Sequence, residues 1–115
     1  MALADWIASY ERAWASNDAG DIGALFTDDA LYFTAPFRKP WTGSQEIVDG
    51  WLERNDEPGT WTFSWQPLVE TPELAVVTGV TAYSDPPHAY SNLWVIRLAP
   101  DGRCREFTEW WMLHT

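Results

Sequence analysis

Residues 60–66 read Thr60-Trp61-Thr62-Phe63-Ser64-Trp65-Gln66, with every second side chain an aromatic ring and those between them small or polar. Only an extended chain sorts such residues into two sets, because successive side chains of a strand point to opposite faces. The stretch is a strand with one aromatic and one hydroxyl-rich face, and it marks a change of period. Before it, Leu3, Trp6, Ile7, Tyr10 and Trp14 recur at helical spacing. They predict an amphipathic first helix that stops near Gly20. Asp21 is positioned to cap a short second helix carrying Ile22, Leu25 and Phe26, with Thr27-Asp28-Asp29 as the turn out of it. Residues 30–35 (ALYFTA) read as a strand ended by Pro36, and residues 37–41 as a loop. Thr42-Gly43-Ser44-Gln45 has capping-box spacing before a third helix whose buried face is Ile47, Val48, Trp51 and Leu52. Residues 55–59 (NDEPG) close it.

After residue 66 the pattern stays extended. Leu74 to Tyr83 is nearly apolar throughout, so it is expected to be covered on both faces. Ser84-Asp85-Pro86-Pro87 turns the chain into a strand from about His88 to Leu98. Pro100-Asp101-Gly102 is a tight hairpin signal before a last strand, Arg103 to Leu113. Three helical segments followed mainly by hairpin-linked strands predict an α+β fold. Its core is a cone-shaped, curved, mostly antiparallel β-sheet with the three N-terminal helical segments packed on its concave face. Residues 1–115 form one domain, and the hollow of the cone is where a ligand would sit.

Composition narrows the partners. The 115 residues carry 17 Asp and Glu against 7 Lys and Arg, a net charge of −10. Phosphate backbones and anionic lipid surfaces repel such a domain, so neither nucleic acid nor membrane is expected as a partner. Nine tryptophans supply enough apolar surface to offset the ordering entropy, which excludes disorder. One cysteine, Cys104, precludes an intrachain disulfide. The start, Met1-Ala2-Leu3-Ala4-Asp5-Trp6, lacks the basic segment of a leader, and no apolar run approaches the roughly 18 residues of a span. A cytoplasmic protein is expected.

Three local patterns in fixed order carry a resemblance. They are Gly20-Asp21 with Leu25-Phe26-Thr27-Asp28-Asp29-Ala30, then Pro36 with Pro40-Trp41-Thr42-Gly43 and Ile47, then Asp101-Gly102-Arg103 with Glu106-Phe107-Thr108-Glu109-Trp110-Trp111. Over essentially the whole chain this resembles the nuclear transport factor 2-like superfamily and, within it, the SnoaL-like group. That fold hosts isomerases, cyclases, epoxide hydrolases, dehydratases and association domains, so the resemblance implies an architecture and a cavity but no particular reaction. Where ketosteroid isomerases place a catalytic aspartate, an oxyanion-hole aspartate and a helical tyrosine, this chain has Ala35, Trp94 and Ala13 or Trp14, with Tyr10 one turn away. None of the three is kept. The last-strand acid of SnoaL-type cyclases falls on Glu109. The acid–arginine–acid set of limonene epoxide hydrolases has no clear counterpart, although Arg97 and Arg105 can be forced into it.

Candidate site residues follow. Alternation puts Glu109 on one face of the last strand with Arg105, Phe107 and Trp111, and Glu106 on the other with Thr108 and Trp110. One of the two glutamates must face inward. A carboxylate among aromatic rings has its charged form disfavoured, so it holds a proton to higher pH and can serve as acid or base. Arg105, two residues away, offers the plainer alternative of a neutralised pair. Tyr32, Thr34 and Asn92, with Trp14, Trp94 and Trp111, are the candidate ligand-contacting residues, and the isomerase comparison places the Asn92 and Trp94 face inward. Arg38 and Lys39 flank the loop at the expected mouth.

His88, His114 and Cys104 are too few and too scattered for a metal, and no nucleotide or flavin motif is present, so no cofactor is expected. Tryptophan on both faces of the last strand, Trp110 and Trp111, suggests that the sheet face pairs with a second copy, a homodimer. The expected function is binding of a small, mostly apolar organic molecule, with cofactor-free isomerase-, cyclase- or lyase-type acid–base chemistry through Glu109 or Glu106. The alternative is a non-catalytic ligand-binding or protein-association domain.

Overall fold

A computed structural model describes residues 3–115; Met1 and Ala2, where the leader reading begins, lie outside the described residues. The elements in chain order are α1 (Leu3–Ser16), α2 (Ala19–Gly23), β1 (Phe26–Phe33), β2 (Trp41–Thr42), α3 (Ser44–Glu53), β3 (Trp61–Glu70), β4 (Leu74–Ser84), β5 (Pro87–Leu98) and β6 (Cys104–Leu113). The six strands form one curved, unclosed sheet in the order β2-β1-β6-β5-β4-β3. All neighbours run antiparallel except β1 and β6, which are parallel. The α+β cone expected from the sequence is the fold observed. No helix among the described residues is long and apolar enough to cross a membrane.

The helices cover the concave face because their apolar stripes match the rings presented there. From α1, Leu3, Trp6, Ile7, Tyr10 and Ala13 are buried. Trp6 meets Phe26 edge-on and lies against Phe107 with ring centroids 6.2 Å apart, while its indole N–H donates to the Leu25 carbonyl. The aromatic face of β3, Trp61, Phe63 and Trp65, is turned to the same side, and Thr62, Ser64 and Gln66 are exposed on the other. Phe63 stacks on Trp94 of β5 at 4.7 Å. Cys104 is fully buried, and desolvation pushes its thiol up to about 12.

Several local expectations are corrected. Asn17, not Gly20, ends α1, taking the left-handed conformation at φ 51°, which asparagine tolerates better than most residues. Asp18, not Asp21, caps α2, its carboxylate accepting from the Asp21 amide. Phe26 is not on α2; it opens β1, so Thr27-Asp28-Asp29 lies inside a strand. The turn-like composition has a physical outlet there. Between Phe26 and Leu31 the pairing with β6 slips, leaving Asp28 and Asp29 exposed in a bulge. β1 also ends at Phe33 rather than Ala35, and residues 41–42 form the short strand β2 where a loop was expected. The capping box does not form. Gly43 is the N-cap with φ 87° and no side-chain bond, and Gln45 donates instead to Asp49. β4 is covered on one face only, since Val80 is exposed on the convex side.

Trp41 and α3 meet at a glycine. A Cβ on Gly50 would overlap the Trp41 ring, so this position admits the indole only because it has no side chain. Gly50→Ala is expected to lose about 1–3 kcal/mol through overpacking, despite alanine's better helix propensity. A denaturant-unfolding midpoint equal to or above that of the unaltered chain would show that Trp41 is not seated on α3.

Candidate functional site

The helices stop short of one end of the cone, and there the concave face opens into a cavity of about 340 Å³. Its walls come from every layer of the fold. The far turn of α1 supplies Tyr10 and Trp14; β1 and the segment after it supply Tyr32, Thr34, Arg38 and Trp41. The end of α3 and the following loop give Trp51, Arg54 and Asp56; β4, β5 and β6 give Thr81, Tyr83, Tyr90, Asn92, Trp94, Glu109 and Trp111.

The register of the sheet decides which glutamate enters. Trp94 pairs with Glu109 and Asn92 with Trp111, and all four side chains share the concave face. Glu106 pairs with Arg97 on the opposite face, where the two side chains approach to 3.5 Å. Glu106 therefore stands outside the cavity, and the choice between the two acids falls on Glu109. Arg105 does not neutralise it. Arg97 is opposite Glu106 and Leu98 opposite Cys104, so Arg105 is the extra residue of a β-bulge and is exposed. The same bulge lets Cys104 and Phe107, three residues apart, both point inward.

Glu109 is held by its strand neighbour. The Asn92 amide donates to Glu109 Oε2 at 2.6 Å, and the Trp94 indole N–H donates to the same oxygen at 3.3 Å. Asn92 is itself oriented, because the Thr81 hydroxyl donates to its Oδ1 at 2.8 Å. Thr81 and Asn92 are both buried, so this chain of bonds sits in a low-dielectric wall where each is strengthened. Desolvation raises the Glu109 pKa above the ordinary carboxylate value, and the bonds from Trp94 and Asn92 only partly oppose it. Among the described residues no hydrogen bond reaches Glu109 Oε1.

Near it, Tyr10 and Tyr32 share a hydrogen bond of 2.8 Å between their hydroxyls. Two phenols and one bond leave one O–H over. Burial raises both phenol pKa values, with Glu109 adding to each, so the pair stays protonated and keeps a neutral O–H to donate. Tyr32 is clamped between Trp41 and Phe107, stacked on each at 5.0 and 4.6 Å. At another part of the wall Asp56 Oδ2 accepts from the Trp14 indole and the Tyr83 hydroxyl, at 3.0 and 2.9 Å. Trp14 stacks on Trp61 at 3.7 Å, so the indole that holds Asp56 is itself fixed.

Trp14, Tyr32, Thr34, Asn92, Trp94 and Trp111 all lie on this wall with Glu109, as does Arg38, whereas Lys39 does not. His88 stacks on Tyr83 near the β4–β5 turn and is not part of the wall. No cluster of metal ligands occurs among the described residues. Sequence reasoning missed Asp56, hidden in a run whose composition reads as a turn, and it assigned Tyr10 and Trp51 to helix packing. Helical spacing marks a buried stripe but cannot tell which end of it meets a void.

N-terminal helices packed on a curved, unclosed six-stranded sheet are the cone architecture of the nuclear transport factor 2-like superfamily. The chain belongs to the SnoaL-like domain family, whose model matches residues 7–107. Solved structures agree on the fold. A protein from Sphaerobacter thermophilus superimposes with TM-score 0.74 at 20% identity, covering 97% of each chain. A nuclear transport factor 2-like protein of unknown function from Burkholderia xenovorans gives 0.75 at 12% identity, over 96% of this chain and 83% of the other. A ketosteroid isomerase-like protein from Erwinia carotovora atroseptica gives 0.67 at 17%, over 94% and 92%. No curated protein matches by sequence.

The raised carboxylate makes a signed prediction. Because burial favours the protonated form of Glu109, its contribution to stability is complete below the unfolded value, about 4.3, and is lost as pH rises through the higher folded value. Glu109→Gln keeps the shape and the acceptor without the charge. The melting temperature of Glu109→Gln should therefore gain on the unaltered chain as pH rises from acid to neutral. A difference independent of pH would mean that Glu109 is solvated.

Proposed function

We propose that the cavity binds a compact, mostly apolar organic molecule and that Glu109 moves a proton to or from it without a cofactor, in the manner of an isomerase, cyclase or lyase. The observation that carries this reading is Glu109 itself, a half-buried, desolvated carboxylate among rings with one oxygen anchored by Asn92 and Trp94 and the other unengaged. A carboxylate with a raised pKa is a stronger base when ionised and gives the proton back from its acid form, and a fixed group avoids reorganisation as the proton moves. The surplus O–H of the Tyr10–Tyr32 pair supplies a neutral donor for negative charge that develops on a carbonyl oxygen when an adjacent carbon is deprotonated. The proton would pass from that carbon to Glu109 Oε1 and return to a second carbon or to the same one. The stacked rings keep water from competing.

Deuterium exchange at the carbons beside the carbonyl of β-tetralone, followed by NMR, reads this chemistry without knowledge of the natural substrate. The unaltered chain should accelerate exchange over buffer, and Glu109→Gln should lose about 100-fold or more of that acceleration while still binding the ketone. Equal exchange by both would sink the proton-transfer reading and leave a binding module.

The same reading includes association with a second copy through the convex face. Val80, Trp110 and Met112 are exposed there, Met112 to 70%, and Leu93 lies opposite Trp110 in the register. Exposed aromatic and thioether side chains in one patch are typical of an interface core. Sedimentation should give a dimer for the unaltered chain and a monomer for Trp110→Lys; a monomeric unaltered chain at high concentration would refute the pairing.

A further inference from the structure

The cavity wall carries two guanidinium groups that the reaction just described does not use. Only 7 of the chain's residues are Lys or Arg, against 17 acids, so two guanidinium groups on one cavity wall are a local concentration of positive charge. Arg97 pairs with Glu106, and Arg103 with Asp101 and Asp28. Among the described residues Arg38 and Arg54 form no ion pair, and both line the cavity. They are nevertheless held in place by rings. Arg38 lies over Trp111, 5.9 Å from the ring centroid, and over Phe37 at 5.5 Å; Arg54 lies over Trp41 at 5.9 Å. A guanidinium drawn to a ring face by cation–π attraction keeps its N–H groups available, and these match a carboxylate through two parallel bonds.

We propose that the ligand is an organic acid, its ring body among the indoles and its carboxylate at the mouth against Arg38 and Arg54. This rests on the ligand-binding reading above and adds the polarity of the ligand. Two acids share the wall. Asp56 Oδ2 is already engaged by Trp14 and Tyr83, and its main-chain carbonyl by the Asn17 amide. Desolvation raises the Glu109 pKa, so the charged form of that carboxylate is disfavoured there. An organic cation fits less well, because it would have to displace the chain's own guanidinium groups from Trp41 and Trp111 and then sit beside them. The surrounding charge of −10 gives the mouth a second role. Anions in general are repelled, so only one whose body also fills the aromatic cavity gains enough to bind.

Calorimetric titration of the full chain with naphthoate, naphthamide and naphthyltrimethylammonium separates the readings, since the three share a body and differ in charge. Naphthoate should bind about 10-fold or more tighter than the amide, the usual worth of a charge-assisted bond. Arg38→Gln and Arg54→Gln should each reduce that preference, and the double variant should bring naphthoate down to the amide's affinity, with near-ultraviolet dichroism checking that the fold is kept. Equal affinity for naphthoate and naphthamide, or tightest binding of the ammonium compound, overturns the acid and leaves the cavity reading standing. Failure of all three to bind overturns both.

Discussion

The arrangement depends on one pairing, the parallel contact of β1 with β6. Without it the sheet would be a four-stranded meander with β6 at its edge, and the Glu109 strand would face solvent along one side. Because β1 returns to run beside β6, that strand has neighbours on both sides, and Tyr32 of β1 sits directly opposite Phe107. Tyr32 then meets Tyr10 of α1, which ties the helical layer to the strand pair. Parallel strands cannot be joined by a tight turn, and here the long crossover from β1 to β6 is the rest of the domain. The site is therefore a property of the whole chain.

Which parts were legible in the sequence follows from how local each signal is. The aromatic alternation of residues 61–65 and the stripe of Leu3, Trp6, Ile7 and Tyr10 depend only on period, and both came through intact. What depended on pairing did not. The bulge at Arg105, the slip between Phe26 and Leu31 and the two-residue strand at Trp41 are imposed by partners distant in the chain. Those same irregularities decide the site. The Arg105 bulge withdraws the cation that would have neutralised Glu109, and Trp41 on β2 forms part of the wall. Asp56 was hidden for the converse reason, since turn composition is strong local information that says nothing of the indole and phenol waiting across the cavity.

The energetic character of the cavity follows from the way its rings are fixed. Trp14 on Trp61, Phe63 on Trp94, and Tyr32 between Trp41 and Phe107 are stacked pairs whose partners are themselves held by strands or helices. Side chains with few free torsions, already in place, lose little entropy when a ligand arrives. The polar groups are tied in the same manner, Thr81 to Asn92 to Glu109, and Trp14 and Tyr83 to Asp56. The walls are preorganised, and only a few of their polar atoms are left without an internal partner.

The two margins of the sheet carry a consequence of a different kind. At one end stands β2, only two residues long; at the other, β3 carries Pro67 and a break in register between Pro67 and Val69. A proline offers no amide to a further strand, a bulge twists the ladder out of line, and a two-residue strand presents almost nothing to copy. With Leu68 and Val69 exposed beside it, an unbroken β3 would be a template for endless chain-to-chain growth into fibres. Terminated in this way, the sheet offers no long open ladder at either margin, and growth by strand addition into fibres is blocked at both.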